Sequence, residues 1–442
     1  MTILQGGLVL DGLGNAPQQA DVILRGSRIE AVLERSGASI GPTIDAGSAT
    51  VIDVSGLTLM PGLIDAHCHI SFDEPSSNDE LFFHRTREGL AAIIAAQNVQ
   101  KLLRAGVTGF LDADCLFEVG VDLRDAIEAG IVSGPRMSTG GNALMTAAGG
   151  TAGRLIPDQG RIGYGKVVNS RDEIVTEVRR QIKQGVDWVK VHVTGLTPRS
   201  RVVGEQQVWH FDELKLVVDT AHDLGAKVVG HCRGSSSIAD AARAGFDMIL
   251  HATFMDDVAL DAVASRGIPI VPTFTFQANL ADFGHQIGAS AVLIDNFRRE
   301  IDDSVAMLNK ARAAGVPLIC GTESGFSMTP YGQWHYREME VFVKALGFSA
   351  LDAIRAGTSE AARALGLYGQ TGAIAPNYMA DIIAVNGAVH EDLTCLALNS
   401  NIKQVLLGGK SVDLSPLPAR TDPPGWRVSH YGHKILRQQD VR

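Results

Sequence analysis

The sequence predicts an α/β fold, a TIM-like (β/α)8 barrel with a small β-sandwich built from both ends of the chain. The length of 442 residues suits one such barrel with an appended module. A helical pattern, a glycine and a short apolar run recur in this order through the middle of the chain, which is typical of parallel βα units. Short strand patterns separated by turns occupy both ends.

The chain divides into three predicted regions. Residues 1–60 and 370–415 read as short strands, and Asp11-Gly12 is a typical turn signal between two of them. Because the two ends look alike, we expect them to pair in one composite β-sandwich. Residues 61–369 are expected to form the barrel, and residues 416–442, which are rich in proline and arginine, a C-terminal arm.

Within the barrel region, each of seven predicted helices leads to a glycine, and a strand follows six of them. The helices are predicted at about 85–105, 123–129, 171–184, 211–224, 238–244, 259–265 and 293–314, and the strands at 107–111, 188–193, 227–231, 248–251, 268–271 and 316–320. Two further helices are predicted near 336–346 and 349–365. Counting from His67 gives about eight strands, so a closed barrel is favoured over an open sheet.

The composition of the chain limits the kinds of partner that the protein can bind and the cellular compartment that it suits. The formal net charge is −10 and no basic block is present, which argues against nucleic acid and an anionic membrane as partners. The five cysteines include no CxxC pair, so a reducing cytoplasm fits better than a disulfide framework. No signal peptide is visible, and no apolar stretch is long enough to span a bilayer. We therefore expect a cytoplasmic protein that acts on a small molecule.

Two histidines end the first predicted strand of the barrel. The strand reads Pro61-Gly62-Leu63-Ile64-Asp65-Ala66-His67-Cys68-His69. Side chains alternate along a strand, so His67 and His69 are expected to point the same way and Cys68 the opposite way. Two imidazoles side by side form half of a metal site, and two unrelated surface histidines are the alternative. Cys68 and Cys232 are expected to be small buried hydrophobes, with zinc thiolate ligation as the alternative.

Polar residues at the ends of other apolar runs extend this pair to a larger set. Barrel active sites lie at the carboxyl ends of the strands, so these residues are expected to meet. The candidates are His67, His69, Lys190, His231, His251 and Glu323. Each of the later histidines alone is more typical of a structural role, but together they supply the imidazoles that zinc prefers.

Lys190 lies inside an apolar run at 188–193, where a lysine is rarely buried unless it is paired. A lysine at the edge of the core that extends to solvent is one interpretation. The other is an uncharged lysine with a lowered pKa, which could react with carbon dioxide. The resulting carbamate would bridge two metal ions as a carboxylate does.

Glu323 lies in the run Gly321-Thr322-Glu323-Ser324-Gly325, whose glycines predict a tight turn at a strand end. A carboxylate there can bind a metal and take a proton from bound water, or it can be an ordinary loop glutamate at a helix N-terminus. Substrate contacts are expected from residues that follow strand ends or lie in long loops. These are His192, Arg233, His210 and His335.

Together, these residues resemble the amidohydrolase superfamily of metal-dependent hydrolases, and its imidazolonepropionase-like and prolidase-like members more closely. The resemblance covers nearly the whole chain. It rests on residues 61–69, Lys190, His231, His251, the turn at 321–325 and a late segment at 358–367. The fold it implies is the predicted barrel.

The resemblance also implies a binuclear centre. His67 and His69 would bind the more buried metal, His231 and His251 would bind the second, and a carboxylated Lys190 and a hydroxide would bridge them. The two ions would be divalent, with zinc favoured and cobalt or manganese as alternatives. Such ions polarise a carbonyl and lower the pKa of bound water. Family members commonly self-associate, so a homo-oligomer is expected.

Two departures from the family pattern concern the proton acceptor and the substrate. Glu323 stands where the family usually has an aspartate, and glutamate is one methylene longer. The stretch at 147–151 lacks the histidine of a Gly-Gly-His loop that many close relatives carry. A dipeptide substrate is therefore less expected than another amide-like one.

The leading hypothesis is hydrolysis of a C–N bond in an amide, anilide, urea or carbamate by a metal-bridging hydroxide. A lactonase or esterase on the same centre is the alternative among enzymes, because hydroxide attack suits both kinds of acyl group. A non-catalytic scaffold that has lost its metal is the alternative from another class. The retained set of ligands argues against the scaffold.

Overall fold

The computed structural model describes residues 1–35, 49–75, 87–150, 156–159, 163–196, 205–421 and 435–441, and it combines helices with strands. The strands are β1 Thr2–Val9, β2 Gln18–Arg25, β3 Arg28–Glu34, β4 Thr50–Asp53, β5 Thr58–Pro61, β6 Leu63–Cys68, β7 Val107–Asp112, β8 Arg136–Thr139, β9 Ala143–Met145, β10 Gly165–Val167, β11 Trp188–His192, β12 Thr194–Leu196, β13 Gln206–Gln207, β14 Lys227–Gly234, β15 Met248–Phe254, β16 Ile270–Val271, β17 Ile382–Val385, β18 Ile402–Leu407 and β19 Lys410–Ser411. The helices are α1 Glu88–Arg104, α2 Val119–Glu128, α3 Arg171–Gln184, α4 Phe211–His222, α5 Ser235–Ala244, α6 Asp257–Ala264, α7 Phe274–Phe283, α8 Ala291–Ala313, α9 Arg337–Leu346 and α10 Ala350–Ala356. In the described part of the chain, no helix has the length and apolar character needed to cross a membrane.

Strands from both ends of the chain form one eight-stranded sheet. Its order is β19-β18-β17-β5-β1-β2-β3, and β4 pairs with β1. The two ends join where β5 runs antiparallel to β17, with Leu59 opposite Ala384. Leu59 and Ile382 pack in a core of their own with Leu4 and Val22. The two ends are thus paired in a single sheet, and the second sheet of a sandwich stays a prediction.

The middle of the chain forms two parallel sheets. One has the order β6-β7-β8, and the other has the order β10-β9-β11-β14-β15-β16. The chain near Leu318 approaches both of them, because Ile270 and Leu318 form a parallel bridge while the Ala66 N–H donates to the Cys320 carbonyl at 3.0 Å. Since the parallel strands of this region lie in two separate sheets, the closed barrel stays a prediction.

Local signals place the helix α3 where the pattern predicts it. The Ser170 hydroxyl accepts from the Glu173 N–H at 3.2 Å and so caps the first turn. Gly185 ends the helix with φ 104°, a conformation that a glycine adopts without strain. Helices with weaker end signals differ from their predicted bounds. The helix predicted at 123–129 begins at Val119, and the one predicted at 349–365 is α10 followed by a 3-10 helix at Ala361–Leu365.

The sequence pattern does not predict helix α7. Its first residues alternate between polar and apolar side chains, which favours a strand. The helix begins after Thr273, whose φ is 61°, and no local side chain caps it. Instead the Glu338 carboxylate accepts from the Phe274 N–H at 2.9 Å and from the Thr275 N–H at 2.7 Å. The cap is supplied by a residue far along the chain, so a local pattern cannot reveal it.

The described parts of the predicted C-terminal arm pack against the rest of the chain. Arg420 forms two hydrogen bonds with the Asp73 carboxylate, at 2.7 and 2.8 Å. Leu436 is buried, its N–H donates to the Ser327 carbonyl at 3.0 Å, and its carbonyl accepts from the Trp334 indole at 3.1 Å. Residues 422–434 lie outside the described ones. The end of the arm therefore contacts the loop after the last predicted barrel strand.

Candidate metal centre

His67, His69 and Glu323 come together at the carboxyl end of β6. Each offers one ligand atom, and these atoms lie within 4.8 Å of one another. The two histidines are buried, and Glu323 is partly buried. The ring centroids of His67 and His69 are 5.0 Å apart, as the alternation of side chains along β6 predicts. The three residues form a cluster that could hold a metal ion.

Backbone contacts with β6 hold Glu323 in this cluster. Its N–H donates to the His67 carbonyl at 2.7 Å, and its own carbonyl accepts from the Thr329 hydroxyl at 2.7 Å. Glu323 has φ 57°, in the left-handed region that a side chain disfavours. Gly325 has φ 132°, and a Cβ there would lie 2.5 Å from the His69 carbonyl oxygen. The tight turn predicted from the glycines is present, and the approach to His69 requires glycine at this position.

Two more histidines adjoin the cluster. The ring centroids of His231 and His251 are 4.4 Å apart, and those of His251 and His67 are 5.2 Å apart. His251 has φ 72°, and its buried Nε2 has no hydrogen-bond partner among the described residues. His231 Nε2 lies 2.7 Å from a carboxylate oxygen of Glu205. The four predicted imidazole ligands are therefore neighbours.

Lys190 lies in β11 with only 1% of its surface exposed. Burial lowers the pKa of its amine, while Asp114, whose Oδ2 is 3.9 Å from Nζ, acts in the opposite direction. The net result is a lowered pKa, which favours the uncharged amine. The structure therefore agrees with a buried lysine rather than one that extends to solvent, and its carboxylation stays a prediction.

Asp114 is a site residue that the sequence patterns did not single out. It follows β7, is 1% exposed, and lies 2.5 Å from His69 Nδ1 through Oδ1 and 2.7 Å from His192 Nε2 through Oδ2. Although burial raises the pKa of Asp114, the neighbouring Lys190 and His69 side chains hold it well below its usual range. Burial lowers the pKa of His192 to about 4. A signal was present in the sequence, because Asp114 follows the carboxyl end of the apolar strand β7 by two residues.

This donor set fits divalent metal ions. Imidazole and carboxylate are common ligands of zinc and of other divalent transition metals. A buried imidazole nitrogen without a partner, as at His251 Nε2, is costly unless something binds it. The cluster of His67, His69 and Glu323 offers further ligand atoms beside it. The ligand types and the spacing of these residues therefore fit the binding of a divalent metal ion.

Comparison with known proteins identifies the family. The model of the amidohydrolase family matches residues 58–412, which include every residue of the candidate centre. The chain belongs to the amidohydrolase family. It is 26% identical to ochratoxinase from Aspergillus niger over 427 residues, covering 93% of this chain and 86% of that one.

Solved structures give the same result for this amidohydrolase. The crystal structure of A. niger ochratoxinase has a TM-score of 0.78 at 25% identity, covering 93% of this chain and 95% of that one. A Xaa-Pro dipeptidase with methionine bound in its active site has a TM-score of 0.77 at 27% identity, covering 93% of this chain and 99% of that one. The chain is therefore a hydrolase that acts on C–N bonds.

Arg233 of this amidohydrolase forms ion pairs with two carboxylates. Its guanidinium contacts Glu300 and lies 3.6 Å from Glu205. Burial lowers the pKa of the guanidinium, but the two carboxylates outweigh burial and raise it. Because Glu205 also contacts His231, Arg233 is connected to the predicted ligands through that carboxylate. Its contact with substrate stays a prediction.

His335 and His210 are placed differently from the other predicted substrate contacts. His335 Nδ1 lies 2.8 Å from the Asp65 carboxylate, and Nε2 accepts from the Gly332 N–H at 3.1 Å. His335 is buried and both of its ring nitrogens are engaged within the chain, and its contact with substrate stays a prediction. His210 is exposed where α4 begins, and its backbone N–H donates to the Glu213 carboxylate at 2.9 Å. Its described contacts are therefore those of a helix end.

The cysteines beside the predicted ligands pack as apolar groups. Cys68 and Cys232 are fully buried, are free thiols and belong to the main hydrophobic core. Burial raises the pKa of both thiols, well above the usual value in the case of Cys68, which favours the neutral thiol. The cluster at His67, His69 and Glu323 includes neither of them. This agrees with the prediction of small buried hydrophobes.

Aromatic rings line one side of the candidate centre. Phe72 stacks on His69 with centroids 4.5 Å apart, and Phe326 lies 5.7 Å from the same imidazole. Phe276 is 5.7 Å from Phe326 and 6.0 Å from Phe297. Phe276, Phe297 and Phe326 are partly exposed. We call Phe72, Phe276, Phe297 and Phe326 the aromatic wall.

Proposed function

We propose that this amidohydrolase uses two divalent metal ions to hydrolyse the C–N bond of an amide, anilide, urea or carbamate. The observation that carries the proposal is the cluster of His67, His69 and Glu323, whose ligand atoms lie within 4.8 Å of one another. The adjacent rings of His231 and His251 supply ligands for a second ion. Zinc is the metal that we favour, because imidazoles predominate among the ligands.

Each predicted ligand has a place in this proposal. His67 and His69 would hold one ion with Glu323, His231 and His251 would hold the other, and carboxylated Lys190 would bridge them. When bound, the ions supply a Lewis acid for the scissile carbonyl and a water with a lowered pKa. The low exposure of Lys190 supports carboxylation, because a buried uncharged amine is the form that reacts with carbon dioxide.

Glu323 is the residue that we propose to move the proton. A carboxylate beside the attacking water can accept its proton and then pass it to the departing nitrogen. The hydrogen bond from the Glu323 N–H to the His67 carbonyl keeps this carboxylate next to the histidines. The longer side chain of glutamate, compared with the usual aspartate, reaches the cluster from a backbone in the left-handed region.

The aromatic wall supports a substrate with an aromatic or other apolar group next to the scissile bond. Phe326 lies beside His69 and Phe276 lies beside Phe326, and both are partly exposed, so they offer apolar surface for a ligand to cover. The two reported relatives are named for ochratoxin and for Xaa-Pro dipeptides. The stretch at 147–150 carries no histidine, which argues for a non-dipeptide amide.

We also propose that the two parallel sheets belong to one closed barrel. The parallel bridges between Ile270 and Leu318 and between Cys68 and Ser324 support closure, because they place the 318–324 segment between β16 and β6. Such closure would bring the carboxyl ends of all strands to one face, which is where barrel active sites lie.

The test is hydrolysis of matched substrates by protein reconstituted with zinc. The panel contains an amide, an anilide, a urea, a carbamate and a lactone that share one aromatic group, with a methyl-substituted counterpart of each. Metal content per chain is measured by elemental analysis on the same samples. We expect two ions per chain and turnover of a nitrogen-containing class, with the aromatic member preferred.

Three outcomes would contradict parts of the proposal. Turnover of the lactone alone would establish the lactonase alternative. Preference for the methyl member would exclude the aromatic wall as a binding surface. A protein that binds no metal and hydrolyses nothing would be the non-catalytic scaffold.

A further inference from the structure

Asp114 contacts several predicted site residues at once, and the proposed function assigns it no role. Its Oδ1 lies 2.5 Å from His69 Nδ1, and its backbone carbonyl lies 3.3 Å from the same nitrogen. Its Oδ2 lies 2.7 Å from His192 Nε2 and 3.9 Å from Lys190 Nζ. One carboxylate therefore joins the ends of β6, β7 and β11.

The contact with His69 determines which ring nitrogen is left for a metal. The backbone carbonyl of Asp114 can only accept, so the His69 Nδ1 that lies 3.3 Å from it must carry the hydrogen that it donates. The lone pair of the neutral ring then resides on Nε2, the nitrogen left for the cluster with His67 and Glu323. A backbone carbonyl that accepts from a ligating histidine fixes its tautomer and its ring orientation, and the Asp114 carboxylate, 2.5 Å from the same nitrogen, adds a negative charge beside the ring.

The other carboxylate oxygen of Asp114, Oδ2, contacts residues near the predicted second metal ion. By accepting from His192 Nε2, it fixes the orientation of an imidazole whose centroid is 5.1 Å from that of His231. By lying near the Lys190 amine, it holds that side chain in the buried position from which a bridge would form. Both effects come from the same oxygen atom.

We propose that Asp114 is the positioning residue of the metal centre, which holds His69 with Nε2 free for a metal and orients His192 and Lys190. The inference rests on the proposed metal centre and adds a residue to it. The contacts made by its two carboxylate oxygens favour this role over that of a direct ligand. Its effect is therefore on affinity for metal before it is on turnover.

The test compares zinc affinity of the metal-free protein and its variants by competition with a chelator. Asp114→Asn keeps the shape and one acceptor oxygen, and we expect zinc affinity to fall by about 10-fold to 100-fold. Asp114→Ala removes every acceptor of the side chain and should lower affinity further. The unfolding midpoint of each metal-free variant is measured in parallel, because replacing one partner of a buried charge pair lowers stability by itself.

Asp112→Asn is the matched control. Asp112 is also buried and lies two residues away, but its Oδ1 accepts from the backbone N–H of Ile70, which an amide oxygen can reproduce. We expect this variant to bind zinc as the unaltered protein does. An equal loss of affinity in Asp112→Asn would overturn the inference, because any buried carboxylate nearby would then suffice.

The remaining outcomes separate this inference from the proposed function. If the unaltered protein binds two zinc ions and Asp114→Asn binds them equally tightly, the inference fails and the proposed function stands. If Asp114→Asn only lowers the unfolding midpoint, Asp114 has a structural role and the inference also fails. If the unaltered protein binds no zinc, the proposed function itself has failed.

Discussion

The burial of Lys190 bears directly on its proposed chemistry, because an uncharged amine is the form that can be carboxylated. Its side chain is 1% exposed, and its pKa is lowered by burial. We expect Lys190→Ala to lose bound metal and activity together, by at least about 100-fold in activity, because a bridging ligand is removed. Elemental analysis and turnover on the same samples check this expectation, and short carboxylates such as propionate should restore part of the activity.

Lys227→Ala provides the matched control for this prediction. Lys227 is exposed at the start of the neighbouring strand β14, with its ammonium 5.1 Å from the Trp188 ring centroid. Loss of this surface charge should leave metal content unchanged. Full activity of Lys190→Ala without an added carboxylate would refute the bridging role.

Glu323 is predicted to serve the proton transfer more than the retention of metal. Glu323→Gln keeps the size of the side chain but cannot accept a proton, so we expect kcat to fall by about 10²-fold to 10⁴-fold. Zinc content should fall much less. Glu323→Asp is the control, since it retains the charge and introduces the residue that relatives usually carry, and it should keep more activity than Glu323→Gln. Equal turnover in Glu323→Gln and the unaltered protein would remove Glu323 from the mechanism.

The turn at 321–325 is the element that determines where Glu323 lies. Gly325 has φ 132°, and a Cβ at this position would meet the His69 carbonyl oxygen at 2.5 Å. We expect Gly325→Ala to displace either Glu323 or His69, and a misplacement of about 1 Å can lower kcat/KM by about 10²-fold. Steady-state kinetics and zinc content should both change.

Gly347→Ala is the control that separates the steric clash of an alanine at position 325 with His69 from the backbone strain of a positive φ. Gly347 ends helix α9 with φ 65°, and nothing lies within 4 Å of the Cβ that alanine would add. It should lower the free energy of unfolding by about 1 kcal/mol without affecting zinc content. If both variants lose stability equally and neither alters kinetics, the close approach of Gly325 to His69 has no functional consequence.

Elements with local signals agree with the predictions, and elements held by distant residues do not. Helix α3 occupies the predicted residues because Ser170 and Gly185 lie beside its ends. Helix α7 depends on Glu338, which is 64 residues from Phe274. The similar strand patterns of the two ends predicted that they would pair. They did not predict the register of β5 with β17, because packing sets the register between strands so far apart in sequence.

At the scale of the whole molecule, an ion pair between Asp381 and Arg136 connects the terminal sheet to strand β8 of the parallel sheets. The Asp381 side chain is 1% exposed and accepts from Arg136 Nε at 2.7 Å and from Arg136 Nη2 at 3.0 Å. It also accepts from the Thr371 hydroxyl and from the Gly408 N–H, each at 2.7 Å. Asp381→Asn should lower the free energy of unfolding by about 2 to 3 kcal/mol, because hydrogen bonds to a charged group are lost.

Urea unfolding of the zinc-loaded protein checks this prediction. Glu30→Gln is the control, because it alters an exposed pair in the same sheet, in which Arg25 lies 3.0 Å from Glu30. That variant should leave the unfolding midpoint unchanged. A similar midpoint for Asp381→Asn and the unaltered protein would show that the pair does not stabilise the two parts against each other.

The sequence by itself determined the residues whose signal is local. His67 and His69 share a direction because side chains alternate along one strand, and Lys190 is conspicuous because it interrupts an apolar run. Composition and length narrowed the fold class in the same way, since both are properties of the chain rather than of its contacts. The roles of Lys190 and Glu323 in a bound centre stay predictions.

Only the tertiary structure decided which groups surround those residues. Asp114 contacts His192, which is 78 residues away in the sequence, and Asp65 contacts His335, which is 270 residues away. Neither contact leaves a periodic trace, because it depends on how separate strands and loops pack. The physical reason is that hydrophobic periodicity encodes which face of an element is buried, whereas the partner of a buried polar group is chosen by the geometry of the assembled chain.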